Sequence, residues 1–114
     1  MDKPTAGDLL RYAAIKSLHC AACRQLGIYA GRSDVQHMTD AGRRLGNEYT
    51  YPLCKYHHQG YLPSGCKNTT EATEKYGPSF ASSKRDFEAR FGTELELLAE
   101  TNKYLGIACN VDFT

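Results

Sequence analysis

His19-Cys20-Ala21-Ala22-Cys23 and Tyr51-Pro52-Leu53-Cys54-Lys55-Tyr56-His57-His58 are the stretches that decide how this chain folds. The first holds a C-x-x-C and the second a C-x-x-H, and thirty-one positions separate Cys23 from Cys54. Each spacing closes a tight turn that presents two soft or borderline donors on one side. Two such turns together make a tetrahedral zinc site, so Cys20, Cys23, Cys54 and His57 are the expected ligands of a structural zinc. A C-x-x-C alone also occurs in redox proteins; its pairing with C-x-x-H is what points to metal. His58 and Cys66 are rivals for the fourth place, and the two-residue spacing favours His57. Cys66 and Cys109 otherwise read as a loop thiol and a small half-buried hydrophobe, and His19 as an exposed neighbour of the first turn.

Outward from these turns, Asp8 to Leu18 reads as a short helix with Leu9, Leu10, Ala13 and Ala14 on its apolar face and Thr5 or Asp8 as cap. Ser33 to Met38 reads as a strand with Val35 and His37 on one face and Gln36 and Met38 on the other. Thr39 to Asn47, with Gly42, Gly46 and Arg43-Arg44, reads as a loop. Glu48 to Leu53 reads as a second strand that Pro52 places at an edge or at its own end, and Lys55 to Gly60 as helix or turn. Tyr61 to Ser83 reads as mostly loop, with a helical turn at Thr70–Tyr76. Ser83-x-x-Asp86 starts a helix that ends at Gly92. Thr93-Glu94-Leu95-Glu96 is a capping box for a last helix stopped by Gly106. These two C-terminal helices read most simply as core packing.

The fold class is therefore α+β: a zinc-braced β-loop-β-α centre at about residues 18–61, an N-terminal helix, and a C-terminal helical extension at about 68–106. At 114 residues with 41% hydrophobic content and no tryptophan, one domain over 1–114 is expected. A core that small gains folding free energy from a metal. The start Met1-Asp2-Lys3-Pro4 has no apolar signal-peptide region and no run reaches membrane-spanning length, so a cytoplasmic location with reduced thiols is expected. Net charge is +1, yet residues 1–67 carry a surplus of four cations and residues 68–114 a surplus of three anions. The metal-rich half is the basic half, which suits a phosphate backbone.

Histidines beside the zinc set carry a second chemistry. Cutting a phosphodiester needs a base for the attacking water and positive charge near the leaving oxygen. A neutral histidine on a strand can be that base, because its unperturbed pKa lies near working pH. One divalent ion can stabilise the phosphorus and the departing oxygen. His37 at the end of the first strand and His58 at the start of the helix can face each other across such a hairpin. Arg43 and Arg44, in the glycine-flanked loop, and Lys55 are candidate phosphate contacts, arginine through its forked donors.

Three strings, Asp34-Val35-Gln36-His37-Met38, Gly42-Arg43-Arg44-Leu45-Gly46 and Tyr51-Pro52-Leu53-Cys54-x-x-His57-His58-x-Gly60, resemble the ββα-metal (HNH) nuclease motif. More narrowly, together with Gly77-Pro78-Ser79-Phe80, Phe87, Phe91-Gly92-Thr93-Glu94 and Leu97-Leu98, they are similar to the phage recombination-enhancement (Ref) family of RecA-dependent nucleases. The resemblance covers roughly residues 17–105 and implies an endonuclease that cuts DNA with Mg²⁺ or Mn²⁺, on DNA loaded with a RecA filament, in the host cytoplasm for a phage protein. It gives His37 the general-base place, His58 a metal or phosphate-ligand place, and Cys20, Cys23, Cys54 and His57 the structural zinc places. The residue before the base is usually Asp or His and binds the catalytic metal. Gln36 stands there, a weaker ligand, with Asp34 close by to help. The motif's middle Asn falls near Tyr49, with Asn47 two positions earlier. These departures keep open a non-catalytic zinc-containing DNA-binding or recombination-accessory module, and more weakly a purely structural interaction protein.

Overall fold

The structure, a computed structural model, describes residues 3–29 and 31–106. It opens with α1 (Ala6–Ser17), whose cap is a full capping box: Thr5 Oγ1 accepts from Asp8 N–H at 3.1 Å, and Thr5 N–H donates to Asp8 Oδ2 at 2.8 Å. The apolar face expected for this helix is not the one that packs. Leu9 and Leu10 are 57% and 73% exposed, and Ile15 is the buried residue. The inward side instead carries Asp8, Arg11, Tyr12 and Ile15, also a helical spacing, because the surface α1 covers offers polar partners.

α2 (Ala21–Gln25) follows, then β1 (Asp34–His37), β2 (Thr39–Asp40), β3 (Arg43–Arg44), β4 (Thr50–Leu53) and α3 (Lys55–Gln59). β1 pairs antiparallel with β4 in the register Asp34 to Leu53, Val35 to Pro52, Gln36 to Tyr51 and His37 to Thr50. Pro52 is tolerated inside its strand because this sheet has two strands and each is an edge. The segment expected as a loop is a second hairpin: β2 pairs with β3 around Ala41 and Gly42, at φ 52° and 81°. Both turn residues lie in the left-handed region, the geometry that matches the twist of a two-residue hairpin. Met38 N–H donates to Tyr49 C=O and Leu45 N–H to Met38 C=O, so the small hairpin extends from the larger one.

The C-terminal part is more helical than its composition suggests. α4 (Thr69–Tyr76) is a full helix capped by Asn68, whose Oδ1 accepts from Glu71 N–H at 2.9 Å. α5 (Lys84–Phe91) starts at the Ser83 cap and α6 (Glu94–Tyr104) at the Thr93 capping box, as the sequence indicates. Phe87, Phe91, Leu97 and Leu98 join Cys20, Ala21, Ala22, Cys23, Met38, Tyr51 and Leu53 in one core cluster. Tyr51, fully buried, donates its O–H to the buried Glu94 at 2.7 Å, tying β4 to α6. The whole is an α+β chain whose Cys/His knuckles adjoin the core. Among the described residues no helix is long and apolar enough to cross a membrane.

Candidate metal centre and catalytic face

Cys20 is the N-cap of α2 and Cys54 the N-cap of α3; each sulfur accepts the backbone N–H three residues on, from Cys23 and His57. The knuckles are thus two capped helix starts that meet. His57 Nδ1 lies 3.5 Å from Cys20 Sγ, 3.5 Å from Cys23 Sγ and 3.3 Å from Cys54 Sγ, and the Cys23 and Cys54 sulfurs are 3.8 Å apart. With Zn–S of about 2.3 Å and Zn–N of about 2.0–2.1 Å, a regular tetrahedron has S–N edges of about 3.5 Å and S–S edges of about 3.8 Å. All four donor atoms lie within 4.8 Å of one another. The set therefore fits a structural zinc.

The surroundings complete that fit. His57 Nε2–H donates to the Tyr76 carbonyl at 2.9 Å, which fixes the tautomer and leaves Nδ1 free to ligate. Contact with the Cys20 and Cys54 sulfurs, with burial working against them, pushes the free His57 imidazole up to about 10. Bonds to Cys20 and Cys54 push the Cys23 thiol up, while bonds to Cys20 and Cys23 hold the Cys54 thiol down. A dication held among the three sulfurs and the ring would keep the sulfurs as thiolates and the imidazole neutral. Cys66 is not among the clustered donors, and Cys109 lies outside the described residues.

His58 turns away from the zinc set. Its Nδ1–H donates to Asp34 Oδ2 at 3.0 Å, and Lys55 Nζ lies 3.3 Å from Asp34 Oδ1. Burial opposes it, but the His58 and Lys55 bonds hold the Asp34 carboxyl below its ordinary range. His37, across the β1–β4 hairpin, is partly buried. Its pKa is lowered by that burial and by the nearby charges of Arg44 and His58, so the ring is held neutral. Asp34, Lys55, His37, His58 and Arg44 thus share one electrostatic neighbourhood. Arg43 and Arg44 stand on the exposed β3, opposite Asp40 and Thr39.

Gln36 is not brought to this face. It is buried on the opposite side of β1 from His37, and its Nε2–H donates to the His37 carbonyl at 3.3 Å. Asn47 is not on the histidine either: its Nδ2–H donates to Asp8 Oδ2 at 3.0 Å, joining the turn before β4 to the start of α1.

Two residues of α1 went unnoticed in the sequence. Tyr12 places its hydroxyl 3.3 Å from His37 Nε2, with the two rings edge-on at 5.6 Å. Arg11 clamps Thr50, the residue paired with His37, through Nε–H to Oγ1 at 2.8 Å and Nη2–H to the carbonyl at 2.7 Å. The helix therefore braces the strand end that presents His37.

No curated protein matches this sequence. The family model described as "Recombination enhancement, RecA-dependent nuclease" matches residues 4–106. That span takes in α1 with its Arg11 and Tyr12, both knuckles and the C-terminal helices, and the chain belongs to the family of recombination-enhancement, RecA-dependent nucleases.

Proposed function

We propose that this chain is a metal-dependent DNA endonuclease of the ββα-metal (HNH) type, acting as a single domain over residues 1–114 on DNA associated with a RecA filament, in the cytoplasm of a host cell if the chain is phage-encoded. The observation that carries this reading is the β1–β4 hairpin running without a loop into α3, with His37 on the strand and His58, bonded to Asp34, on the helix. His37 is the general base. In the tautomer whose Nε2–H donates to the Tyr12 oxygen, 3.3 Å away, Nδ1 keeps its lone pair and can take the proton of the attacking water.

An ion here would take Asp34 and His58 in place of their hydrogen bond, with the Nδ1 proton lost, and this pair of one hard oxygen and one nitrogen would suit Mg²⁺ or Mn²⁺. An ion held there supplies positive charge to the phosphorus and the departing oxygen. Arg44, Arg43 and Lys55 hold flanking phosphates on the same face. Gln36, facing the core, has no part in this reading. The four-ligand zinc set keeps α3 in place and does not take part in the chemistry.

The test is nicking of plasmid and single-stranded DNA in Mg²⁺ or Mn²⁺, with and without a RecA filament, by the chain and by His37→Ala. Cleavage lost in His37→Ala, with zinc content and circular dichroism unchanged, is the expected result. If the unaltered chain does not cut under any of these conditions, the nuclease reading is wrong. The alternative, a non-catalytic zinc-containing DNA-binding or recombination-accessory module, then stands. It is favoured by Lys55, which already occupies Asp34, and by the lack of a third carboxylate or imidazole beside His58 in any donor cluster of the described residues.

A further inference from the structure

A cavity of about 580 Å³ opens on the side of the Cys/His knuckles, and of its side chains only Lys55 touches DNA in the function proposed above. That volume lies within the roughly 300–1,000 Å³ of pockets that accept small organic groups. Its inner wall is formed by zinc ligands together with Tyr56 and Tyr76. Tyr56 is pinned by its O–H donating to the Gly77 carbonyl at 2.7 Å, so the wall is rigid. Tyr29 and Tyr61 line the cavity too, yet are 72% and 60% exposed. Tyr29 stands edge-on to His19 at 4.3 Å and Tyr61 lies under Lys55, so both rings are held at the cavity rim with faces open to contact.

The charge of the lining says which partner. Arg32 and Lys55 line the cavity, and no carboxylate of the described residues does. Lys55 Nζ lies 5.7 Å from the centre of the Tyr61 ring and 3.3 Å from Asp34 Oδ1, so the cavity is continuous with the face that carries His58. Stacking rings interleaved with cations, without a ladder of hydrogen-bonding groups, are what a single strand requires: every base has a π-face, and each linkage brings one negative charge. A base pair inside a duplex offers no open face to a tyrosine.

We propose that this cavity receives unpaired nucleobases of a DNA strand, stacked on Tyr29 and Tyr61, with the adjoining phosphates on Arg32 and Lys55, and so seats a single strand next to the catalytic face. The inference rests on the DNA-directed reading of that face, but binding and cutting can be separated. In the His37→Ala background, affinity is measured for an oligothymidylate strand of about twelve nucleotides and for a blunt duplex, the strand length chosen to fill one site of the kind that reads about 4–16 nucleotides. The chain has no tryptophan and eight tyrosines, so stacking is read directly as quenching of tyrosine fluorescence.

Tyr29→Ala and Tyr61→Ala should each weaken single-strand binding roughly five- to a hundredfold and leave duplex affinity unchanged, while Tyr61→Phe should keep wild-type affinity. Arg32→Ala should flatten the salt dependence of single-strand binding by about 0.7 in log–log slope. Zinc content and circular dichroism verify that each variant is folded. Single-strand affinity equal to the parent in both alanine variants overturns the proposal. So does a loss confined to capture of a RecA filament without DNA, which assigns the tyrosines to a protein partner. Tyrosine-dependent strand binding in a chain that never cuts DNA removes the nuclease reading and leaves this one standing.

Discussion

Removing the zinc that Cys20, Cys23, Cys54 and His57 are fitted to hold tests the centre of the fold most severely. The four donors are not a surface clip: Cys20 is fully buried, Cys23 is 4% exposed, and the His57 ring meets Phe91 at 5.2 Å and Phe87 at 6.3 Å. Through the Tyr76 carbonyl the same ring also holds the end of α4. Structural zinc in small finger peptides contributes about 10–16 kcal/mol at neutral pH, whereas a whole small domain is stable by about 5–15 kcal/mol. The metal contribution is therefore as large as the expected net stability, and chelation should unfold the chain at room temperature. The assay is far-ultraviolet circular dichroism and tyrosine fluorescence during titration with a chelator, with metal content measured at each point. Unfolding should track zinc loss and reverse on adding zinc; Cys54→Ser should behave like the chelated protein, and Cys66→Ser like the parent. A protein shown to be zinc-free that still melts within a few degrees of the loaded form would refute the argument.

Tyr51→Phe leaves the buried Glu94 without its 2.7 Å partner and with only Lys84 at 3.5 Å, so it should cost about 1.5–3 kcal/mol and lower the melting temperature by roughly 6–12 °C in calorimetry. Burial, Arg44 and His58 lower the His37 pKa, so the neutral base forms below the ordinary histidine range and cleavage should persist to correspondingly mild acid. Arg44→Gln removes one of the charges that lower it, and the acid limb of the pH–rate profile should move to higher pH; an unmoved limb would exclude His37 as the titrating base. Replacing Arg43 and Arg44 together with alanine should flatten the salt dependence of duplex binding by up to about two in log–log slope, at roughly 0.9 per lost phosphate contact, with zinc content unchanged. An unchanged slope would make β3 a solvated hairpin and nothing more.

What the sequence disclosed is what short spacing controls. The knuckles, the Thr93 capping box, the Ser83 cap and the strand ending at His37 are all set by residues within a few positions of each other, and the structure follows them. The β2–β3 hairpin escaped because its turn uses Ala41 at positive φ, where glycine or asparagine is the usual signal. α4 was read only as a helical turn at Thr70–Tyr76 because the helix buries only Ala72 and so has no apolar stripe to mark its full length. The packing side of α1 was misread for a related reason: Leu9 and Leu10 read as part of its apolar face, yet Ile15 is the residue it buries, and Arg11 and Tyr12 find their partners at Thr50 and His37, far along the chain. No local pattern reports a contact of that range. For the same reason the sequence could name Gln36, Asn47 and Asp34 as candidates, while only the alternation of β1 and the hydrogen bonds separate them.

The junction from β4 to α3 has a consequence for how the gene can vary. β4 ends at Leu53, Cys54 is already the cap, and Lys55 begins the helix, so no spare residue lies between strand and histidines. Neighbouring positions on a helix point about 100° apart, which is how His57 enters the metal set while His58 reaches Asp34. Deleting one codon between Cys54 and His57 would rotate the following side chains by that angle and put His58 toward the sulfurs, and inserting one would put Tyr56 there. Substitution at exposed Lys55 is compatible with this geometry, but a change of length is not. Variation in length belongs instead at the tip of the β2–β3 hairpin, where Ala41 and Gly42 are exposed and bear on neither histidine.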